Sequence, residues 1–384
     1  MSLNKRQLKK IYLVGILIGV GTLVLYNRWS SILPGAPGII SSSGPGTVIL
    51  LTQRRSGSSI LGELFNQYVD VSYFYEPLFP IDETCNPSLR QNAVEIVQRI
   101  INCDLNQLPM LYEKAFNVTD RNDKYSRCKI HNVCFAGNTQ SKYSAYLTRD
   151  AKICNVVNNF QYCPEPIDLE RLSAHCRGSV LIATKMIYLC KLEWISSFLS
   201  PPSASLKVLH LVRDPRATIN SRIPARNSDS GSNTARLGGI RFYAKQICEK
   251  LSVNTAFANR AVGTVIPHDK YMRIRHEDFS MDPIKTAEKI YEFVSIPFDV
   301  DIKRWLVEAT SFDKSLNLKV GDQGTKRNSR DIVSAWRMKL TFEEVVVIQD
   351  ICKDALTMLG YEVYNTNEDM LDLNKLHFTS KTII

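Results

Sequence analysis

Two segments of the chain each combine a buried-strand pattern with a turn rich in Arg and Ser, followed by a helical pattern. They cover Thr47–Ser59 and Leu206–Arg222. In α/β folds this order presents backbone N–H groups to phosphate-like anions at the start of a helix. The two segments therefore predict an α/β fold with a central parallel sheet flanked by helices, and a ligand that carries two anionic groups.

The first segment begins with the apolar run Val48–Leu51, which is typical of a strand buried on both faces. Its loop contains a glycine that permits a tight backbone, serines that donate hydrogen bonds, and arginines that bind tetrahedral anions. The candidate binding residues are Arg54, Arg55, Ser56, Gly57, Ser58 and Ser59. The Walker A pattern needs a second glycine and a lysine, so a nucleoside triphosphatase is disfavoured. A capped turn that binds nothing is the alternative.

The second segment has the same order of elements. Strand Lys207–Val212 leads to Arg213, and Pro215 suits the first turn of the helix that follows. Arg213 and Ser221 are placed to bind one phosphate together. The alternative is that Arg213–Arg216 is an Arg–Asp surface turn that binds no ligand.

These residues resemble the Golgi carbohydrate sulfotransferases that modify the 6-hydroxyl of galactose, N-acetylgalactosamine or N-acetylglucosamine, including chondroitin 6- and keratan sulfate sulfotransferases. Arg55–Phe65 resembles their 5′-phosphosulfate loop, and Leu211–Ser221 resembles their 3′-phosphate motif. Three further matches lie outside the two segments: Phe74–Pro77, Arg275–Phe279 and Arg327–Arg337. The resemblance extends from about Thr47 to Tyr364 and is weakest between Pro80 and Ser179.

The resemblance implies transfer of a sulfuryl group from 3′-phosphoadenosine 5′-phosphosulfate (PAPS) to a sugar hydroxyl, on a P-loop-like sulfotransferase fold. Such a transfer needs in-line positioning and charge stabilisation, which arginine and serine donors supply without a metal ion. Glu76 is the expected general base, Arg55 a catalytic cation, and Lys185 a second cation at the leaving phosphate. In the alternatives, Glu76 ends an edge strand beside an arginine and Lys185 extends from its strand to water.

A basic, glycine-rich loop lies in the last third of the chain. Lys326 and Arg327 are expected to reach the 3′-phosphate from this loop, although a plain solvated loop is equally compatible with its composition. Helices are predicted over Asp282–Val294 and Thr341–Leu359, and the second ends at Gly360. Residues 365–384 are expected to form a polar, loosely ordered tail.

The composition agrees with a large lumenal enzyme that has an acidic partner. The formal charge is +10, and 44% of the residues are apolar, which is ample for one large domain over residues 47–364. A glycosaminoglycan or glycoprotein oligosaccharide fits this charge. Nucleic acid is disfavoured because no zinc-finger spacing, RNA-binding signature or dense basic run is present. The oligomeric state is open, and a homo-oligomer is one alternative.

The amino-terminal segment is typical of a signal anchor. Residues 1–10, which contain several Lys and Arg residues, precede the apolar run Ile11–Tyr26. This order predicts a transmembrane helix over residues 11–28 with the basic end in the cytosol. Residues 29–46, rich in Pro, Gly and Ser, are then a stem. A Golgi membrane protein of single-pass type II topology follows from this pattern and the resemblance. A cleaved signal peptide is the rival interpretation.

Ten cysteines favour the same lumenal setting, and seven of them lie in residues 80–179, an expected cysteine-rich insertion. Disulfides are expected there, but their pairing does not follow from the sequence. Zinc is disfavoured because no Cys-x-x-Cys spacing occurs. Asn117 lies in a glycosylation sequon.

Three function classes remain at this point. The first is a PAPS-dependent sulfotransferase that acts on a glycan. The second is a catalytically silent, membrane-anchored glycan-binding protein with the same fold, which the intact Arg55, Arg213, Ser221 and Glu76 argue against. The third is a nucleotide kinase, which the missing Walker lysine disfavours.

Overall fold

The main sheet has five strands, all parallel to their neighbours. The computed structural model describes residues 44–78, 81, 85–112, 155–157, 160–162, 168–200, 205–223, 233–311 and 329–379. The strands of the main sheet are β1 (Gly46–Leu51), β2 (Val71–Phe74), β5 (Leu181–Met186), β6 (Leu206–Val212) and β7 (Tyr271–Arg275). Their order is β2-β5-β1-β6-β7. A separate antiparallel hairpin is formed by β3 (Asn155–Val157) and β4 (Phe160–Tyr162). The predicted central parallel sheet is confirmed.

Helices follow most of the strands. In chain order they are α1 (Ser58–Asn66), α2 (Arg90–Ile101), α3 (Leu169–Gly178), α4 (Pro215–Asn220), α5 (Asn233–Ala261), α6 (His276–Met281), α7 (Pro283–Val294), α8 (Val300–Thr310), α9 (Ser329–Ser334), α10 (Phe342–Ile351), α11 (Lys353–Leu359) and α12 (Asn367–Leu371). The predicted helix over Asp282–Val294 is confirmed, with the Asp282 carboxylate accepting a hydrogen bond from the Lys285 N–H as its N-cap.

Both faces of the sheet are covered. Ile49 and Leu51 of the central strand β1 pack into one hydrophobic cluster, while Val48 and Leu50 pack into another. This division follows from the alternation of side chains along a strand. A strand buried on both faces needs a continuous apolar sequence, which is why the run Val48–Leu51 predicted β1 correctly.

The strand register brings several loops to one edge of the sheet. Leu51, the last residue of β1, lies beside Met186 of β5 and His210 of β6. The residues that follow β1, β5 and β6 therefore emerge side by side at the carboxyl edge. Strand β2 pairs with β5 up to Phe74, so Glu76 emerges at the same edge. Open α/β sheets bind ligands at this edge.

The prediction of one helix over Thr341–Leu359 is wrong in detail. The structure has two helices, α10 and α11, separated at Cys352, where φ is −99° and ψ is 10°. Cys352 is disulfide-bonded to Cys248 of α5, so the break lies where the chain is tied to another helix. The predicted start and end are confirmed, because Thr341 and Glu344 form a capping box and Gly360 ends α11 with a left-handed backbone.

The end of the chain is packed against the domain up to Thr379, so the expectation of a loosely ordered tail is wrong there. His377 has no exposed surface and Phe378 is only 7% exposed. The guanidinium of Arg337 donates hydrogen bonds to the carbonyls of Met370, Asp372 and Lys375. The tail is polar in composition, but its few apolar side chains and its backbone carbonyls have specific partners in the domain.

Three disulfides join distant parts of the described chain: Cys85–Cys190, Cys103–Cys176 and Cys248–Cys352. Disulfides in the cysteine-rich insertion were predicted, but three of these six cysteines lie outside it. The predicted transmembrane helix, most of the stem and the Asn117 sequon lie outside the described residues. Within the described ranges, no helix has the length and apolar character needed to cross a lipid bilayer.

Candidate active site

The two predicted anion-binding segments meet at the carboxyl edge of the sheet. The Nε of Arg55 donates a hydrogen bond of 2.7 Å to the Oγ of Ser221. In return, Nη1 of Arg213 donates a hydrogen bond of 2.7 Å to the backbone carbonyl of Arg55. The predicted partners Arg55, Arg213 and Ser221 therefore form one connected cluster of donors.

The loop after β1 is held by its own side chains. The hydroxyl of Ser56 is buried, donates to the carbonyl of Gln53 at 2.6 Å and lies 2.5 Å from the hydroxyl of Thr52. Ser56 therefore shapes the loop with its side chain, and what it can offer a ligand is its backbone. Arg55 has a φ of +68° and Gly57 a φ of +85°, so the chain turns sharply before α1 begins. Successive N–H groups in such a turn form an anion-binding concavity.

Gly57 cannot be replaced by a larger residue without a rearrangement. A Cβ atom at this position would lie 2.0 Å from Cδ2 of His276. The buried imidazole of His276, the first residue of α6, thus covers one side of the loop. Burial, followed by the charge of Arg213, lowers the pKa of His276 well below its ordinary value, so this ring is neutral at physiological pH. His276 belongs to the matched segment Arg275–Phe279, but its contact with Gly57 was not predicted from the sequence.

Arg213 is a cation without its full set of partners. Its Nε is buried and has no hydrogen-bond partner in the described structure. Burial lowers the pKa of this guanidinium, while Glu277 and Asp214 oppose the effect. A partly buried guanidinium with an unsatisfied N–H is suited to a tetrahedral anion such as a phosphate.

A buried network lies behind Arg213. Glu277 accepts hydrogen bonds from the backbone N–H of Asp214 and from the hydroxyl of Tyr361. Asp214 is paired in turn with the guanidinium of Arg216 at 2.8 Å. Burial and the nearby Asp214 raise the pKa of Glu277 to about 7. The alternative of an Arg–Asp surface turn is correct in its Arg–Asp pair, which Asp214 forms with Arg216, and wrong in its surface position, because both side chains are buried.

The predicted base and the predicted second cation are in direct contact. Nζ of Lys185 lies 2.9 Å from Oε1 of Glu76, and the two side chains are 1% and 9% exposed. The ammonium also lies 3.5 Å from the centre of the Tyr75 ring. The angles between Nζ of Lys185 and the Glu76 carboxylate do not fit a hydrogen bond, so this contact is an ion pair. The alternative in which Lys185 reaches water is wrong.

The remaining candidates differ in their placement. Ser58 and Ser59 start α1, and Arg54 is exposed, with its carbonyl accepting a hydrogen bond from Arg222 at 3.3 Å. Lys326 and Arg327 lie outside the described residues. Within the described part of the chain, no group of three or more His, Cys, Asp or Glu side chains is arranged to hold a metal ion.

Comparison with known proteins agrees with this geometry. Residues 194–360 match the family model described as the sulfotransferase domain. This part of the chain is similar to a sulfotransferase domain. It is 28% identical over 350 residues to carbohydrate sulfotransferase 1 of Rattus norvegicus, covering 84% of this chain and 81% of that protein. It is also 28% identical over 347 residues to carbohydrate sulfotransferase 3 of Tetronarce californica, with coverages of 82% and 72%. The predicted resemblance to the carbohydrate sulfotransferases is confirmed.

Solved structures with a likeness to this chain are more distant. A sulfotransferase domain from a Synechococcus olefin synthase has 17% identity and a TM-score of 0.41, covering 82% of this chain and 95% of that one. A sulfotransferase from Alicyclobacillus acidocaldarius has 14% identity and a TM-score of 0.36, with coverages of 80% and 96%.

Proposed function

We propose that this protein transfers a sulfuryl group from PAPS to the 6-hydroxyl of a galactose, N-acetylgalactosamine or N-acetylglucosamine residue in a glycosaminoglycan or glycoprotein glycan. The observation that carries the proposal is the hydrogen-bonded cluster of Arg55, Arg213 and Ser221 beside the buried Glu76–Lys185 pair. It combines donors for two anionic groups with a carboxylate, on a domain related to the carbohydrate sulfotransferases.

The residues suit the two phosphate-bearing ends of PAPS. The loop Arg54–Ser59 and the start of α1 would hold the 5′-phosphosulfate, while Arg213 and Ser221 would hold the 3′-phosphate. The unpartnered Nε of Arg213 supports this assignment, because a buried N–H without an acceptor is costly unless a ligand supplies one. PAPS, when bound, supplies the sulfuryl group, and the protein supplies position and charge.

The acceptor hydroxyl must lose its proton as its oxygen attacks the sulfur. In the proposed reaction, a bond forms between this oxygen and sulfur, the bond from sulfur to the 5′-phosphate oxygen breaks, and the proton passes to the carboxylate of Glu76. Lys185 lies 2.9 Å from the Glu76 carboxylate and holds it in position. Arg55 balances the negative charge that develops on the departing phosphate.

We also propose a Golgi membrane location, with single-pass type II topology and a lumenal catalytic domain. The basic residues before Ile11, the apolar run that follows and the three described disulfides support it. In sealed microsomes, external protease should remove only the residues before the apolar run. Digestion of the large domain would contradict this topology.

The decisive experiment measures nucleotide binding by calorimetry with 3′-phosphoadenosine 5′-phosphate, and with 5′-AMP and ATP as controls. We expect binding that requires the 3′-phosphate, and we expect R213A to weaken it by about 2 kcal/mol, the loss of one hydrogen bond to a charged group. Transfer of labelled sulfate from PAPS to glycan acceptors then tests the reaction itself. A preference for ATP would favour a kinase, and nucleotide binding without transfer to any acceptor would favour a silent glycan-binding protein.

A further inference from the structure

A buried carboxylate lies directly behind the proposed 3′-phosphate site. Glu277, the second residue of α6, has no exposed surface. Its Oε1 accepts a hydrogen bond of 3.1 Å from the backbone N–H of Asp214, and its Oε2 accepts one of 2.8 Å from the hydroxyl of Tyr361. A buried carboxylate is costly unless it is paired or hydrogen-bonded, and the proposed reaction does not use this one.

The hydrogen bond to the Asp214 N–H fixes the peptide group that follows Arg213. Asp214 is also held by α4, because its carboxylate accepts a hydrogen bond of 2.8 Å from the backbone N–H of Arg216 and pairs with the guanidinium of the same residue. The turn after β6 is therefore anchored by α4 on one side and by α6 on the other. Since Arg213 immediately precedes this anchored turn, Glu277 helps to set the position of its side chain.

Glu277 also acts on Arg213 through its charge. Burial lowers the pKa of the Arg213 guanidinium, and Glu277 opposes this effect more strongly than any other charge does. Nη1 of Arg213 donates to the neutral carbonyl of Arg55, whereas its Nε is buried and has no hydrogen-bond partner in the described part of the chain. Glu277 is thus one of the negative charges that balance Arg213 within the protein, and a phosphate at Nε would be another.

The groups around Glu277 leave it as the one that titrates near neutral pH. Charged and titratable groups come from β6, α4, β7, α6 and the chain after α11: Arg213, Asp214, Arg216, Arg275, His276, Tyr361 and His377. Burial lowers the pKa of both histidines, to about 4 for His377, and raises that of Tyr361. Although burial opposes it, Arg216 lowers the pKa of Asp214. Burial and Asp214 raise the pKa of Glu277 to about 7.

A phosphate bound at Arg213 would bring new negative charge close to this carboxylate. A phosphate monoester carries up to two negative charges near neutral pH. A like charge nearby disfavours the ionised form of a carboxyl group, so the phosphate would raise the pKa of Glu277 further. Protonation of Glu277 removes the repulsion and leaves the charge of Arg213 to the phosphate.

We propose that Glu277 is a positioning residue of the 3′-phosphate site, which holds Arg213 through the Asp214 N–H and takes up a proton from solvent when the 3′-phosphate binds. The inference rests on the proposed function and adds a proton to its nucleotide-binding step. The proton goes to one carboxylate oxygen, and the other oxygen still accepts the hydrogen bond from Asp214. Since PAPS and the product nucleotide both carry a 3′-phosphate, both should bind more weakly as the pH rises above about 7.

The test is calorimetric titration of the full-length protein with 3′-phosphoadenosine 5′-phosphate at about pH 6.5, 7.5 and 8.5. At each pH, two buffers of different ionisation enthalpy give the number of protons taken up. E277Q is the variant to compare, because its amide oxygen can accept the Asp214 N–H but its side chain takes up no proton. With a rise of about one unit in the pKa of Glu277, the wild-type protein should take up about half a proton more than E277Q at pH 7.5.

The affinities provide a second readout. The affinity of the wild-type protein relative to E277Q should fall about sixfold between pH 6.5 and 8.5. The comparison removes the ionisation of the nucleotide's own phosphates, which is the same for both proteins. Y361F removes a hydrogen bond to the ionised carboxylate of Glu277 and should move this fall to higher pH. E362Q changes an exposed carboxylate next to Tyr361 and should behave as the wild-type protein.

Three results would overturn the inference: equal proton uptake in the wild-type protein and E277Q, an affinity ratio that does not change with pH, or a loss of nucleotide affinity in E277Q at every pH. If thermal unfolding shows that E277Q is not folded, Y361F decides, because an unchanged pH profile in that variant contradicts the role of Glu277. Failure of the proposed function is distinguishable. It would appear as absent 3′-phosphate-dependent binding in the wild-type protein, which would overturn both proposals.

Discussion

At the level of single residues, the pair of Glu76 and Lys185 carries two roles that separate experimentally. Both side chains are almost completely buried and lie 2.9 Å apart. A buried charge that loses its partner is strongly destabilising, whereas removal of both charges is often tolerated. An activity loss in a Glu76 variant therefore needs a stability measurement beside it.

We expect E76Q to lower turnover about 100-fold, because the general base is removed. The same change should destabilise the fold by about 3 kcal/mol, because Lys185 is left without its counter-charge. The double variant E76Q/K185M should recover most of this stability and none of the activity. Thermal unfolding, turnover and nucleotide affinity, measured on all three proteins, check these expectations. An active E76Q would refute the role of Glu76 as the base.

The structure brings together several residues that the sequence predicted at one site. Arg55, Arg213, Ser221, Glu76 and Lys185 were each predicted as site residues, because strand-to-loop patterns mark the carboxyl edge of a parallel sheet. Their direct contacts were not predicted, since the pairing of Glu76 with Lys185 depends on β2 lying beside β5. Strand order is a tertiary property that a strand's own sequence does not encode.

The contact of His276 with the loop after β1 was missed, because it depends on α6 lying against Gly57 in the fold. The partners of Cys85 and Cys352 were likewise beyond reach, because they depend on which distant segments meet in the fold.

At the level of elements, the junction between β1 and α1 depends on its contact with α6. Gly57 lies against His276, and its φ of +85° belongs to the region that favours glycine. The loop is therefore shaped both by its own backbone and by a neighbouring helix that follows β7. Substitutions in α6 that move His276 should therefore change the conformation of the proposed phosphosulfate loop.

We expect G57A to cost about 2 to 4 kcal/mol of stability, since a Cβ adds backbone strain and a steric clash with His276. G57A/H276A should recover the part due to the clash and leave the part due to φ. G238A in α5 is the matched control, because a Cβ there meets nothing within 4 Å. Chemical denaturation of the four proteins gives these values. Equal stability of G57A and wild type would refute the packing argument.

The buried contacts of Glu277 with Asp214 and Tyr361 predict that the stability of the protein depends on pH. The pKa of Glu277 is raised to about 7 by burial and Asp214, so the folded state holds more protons than the unfolded state between about pH 4.5 and 7. The contribution of Glu277 to stability therefore falls as the pH rises through this window and is constant above it. E277Q should remove this slope.

The measurement is the difference in unfolding free energy between the wild-type protein and E277Q at several pH values from 5 to 8. The wild-type protein should lose up to about 3 kcal/mol relative to the variant by pH 7. Burial lowers the pKa of His377 to about 4, so the contribution of His377 to stability rises with pH. This contribution is the same in both proteins and cancels in their difference. A difference that does not change with pH would show that Glu277 titrates normally.

At the scale of the whole molecule, the described disulfides join segments that are far apart in the sequence. The bond between Cys248 and Cys352 spans 104 residues and connects α5 to the end of α10. It ties α5 to the C-terminal helices. Helix α5 and the C-terminal region are therefore expected to lose stability together.

We expect C248A/C352A to lower the free energy of unfolding by about 4 kcal/mol, the effect expected for a closed loop of this length. The backbone amides of both α5 and α10 should lose protection against hydrogen exchange in this variant. Denaturation and hydrogen exchange of the variant check the two statements. C103A/C176A, whose bond spans 73 residues elsewhere in the domain, is the control and should leave α10 protected. Unchanged protection of α5 and α10 in C248A/C352A would show that packing alone holds them.

The order of the described disulfides along the chain has a consequence for synthesis. The Cys103–Cys176 pair lies entirely inside the loop closed by Cys85 and Cys190, and the Cys248–Cys352 pair begins only after that loop has ended. No described pair crosses another. A polypeptide that emerges from its amino end can thus oxidise each of these bonds in turn, without threading and without reopening an earlier one.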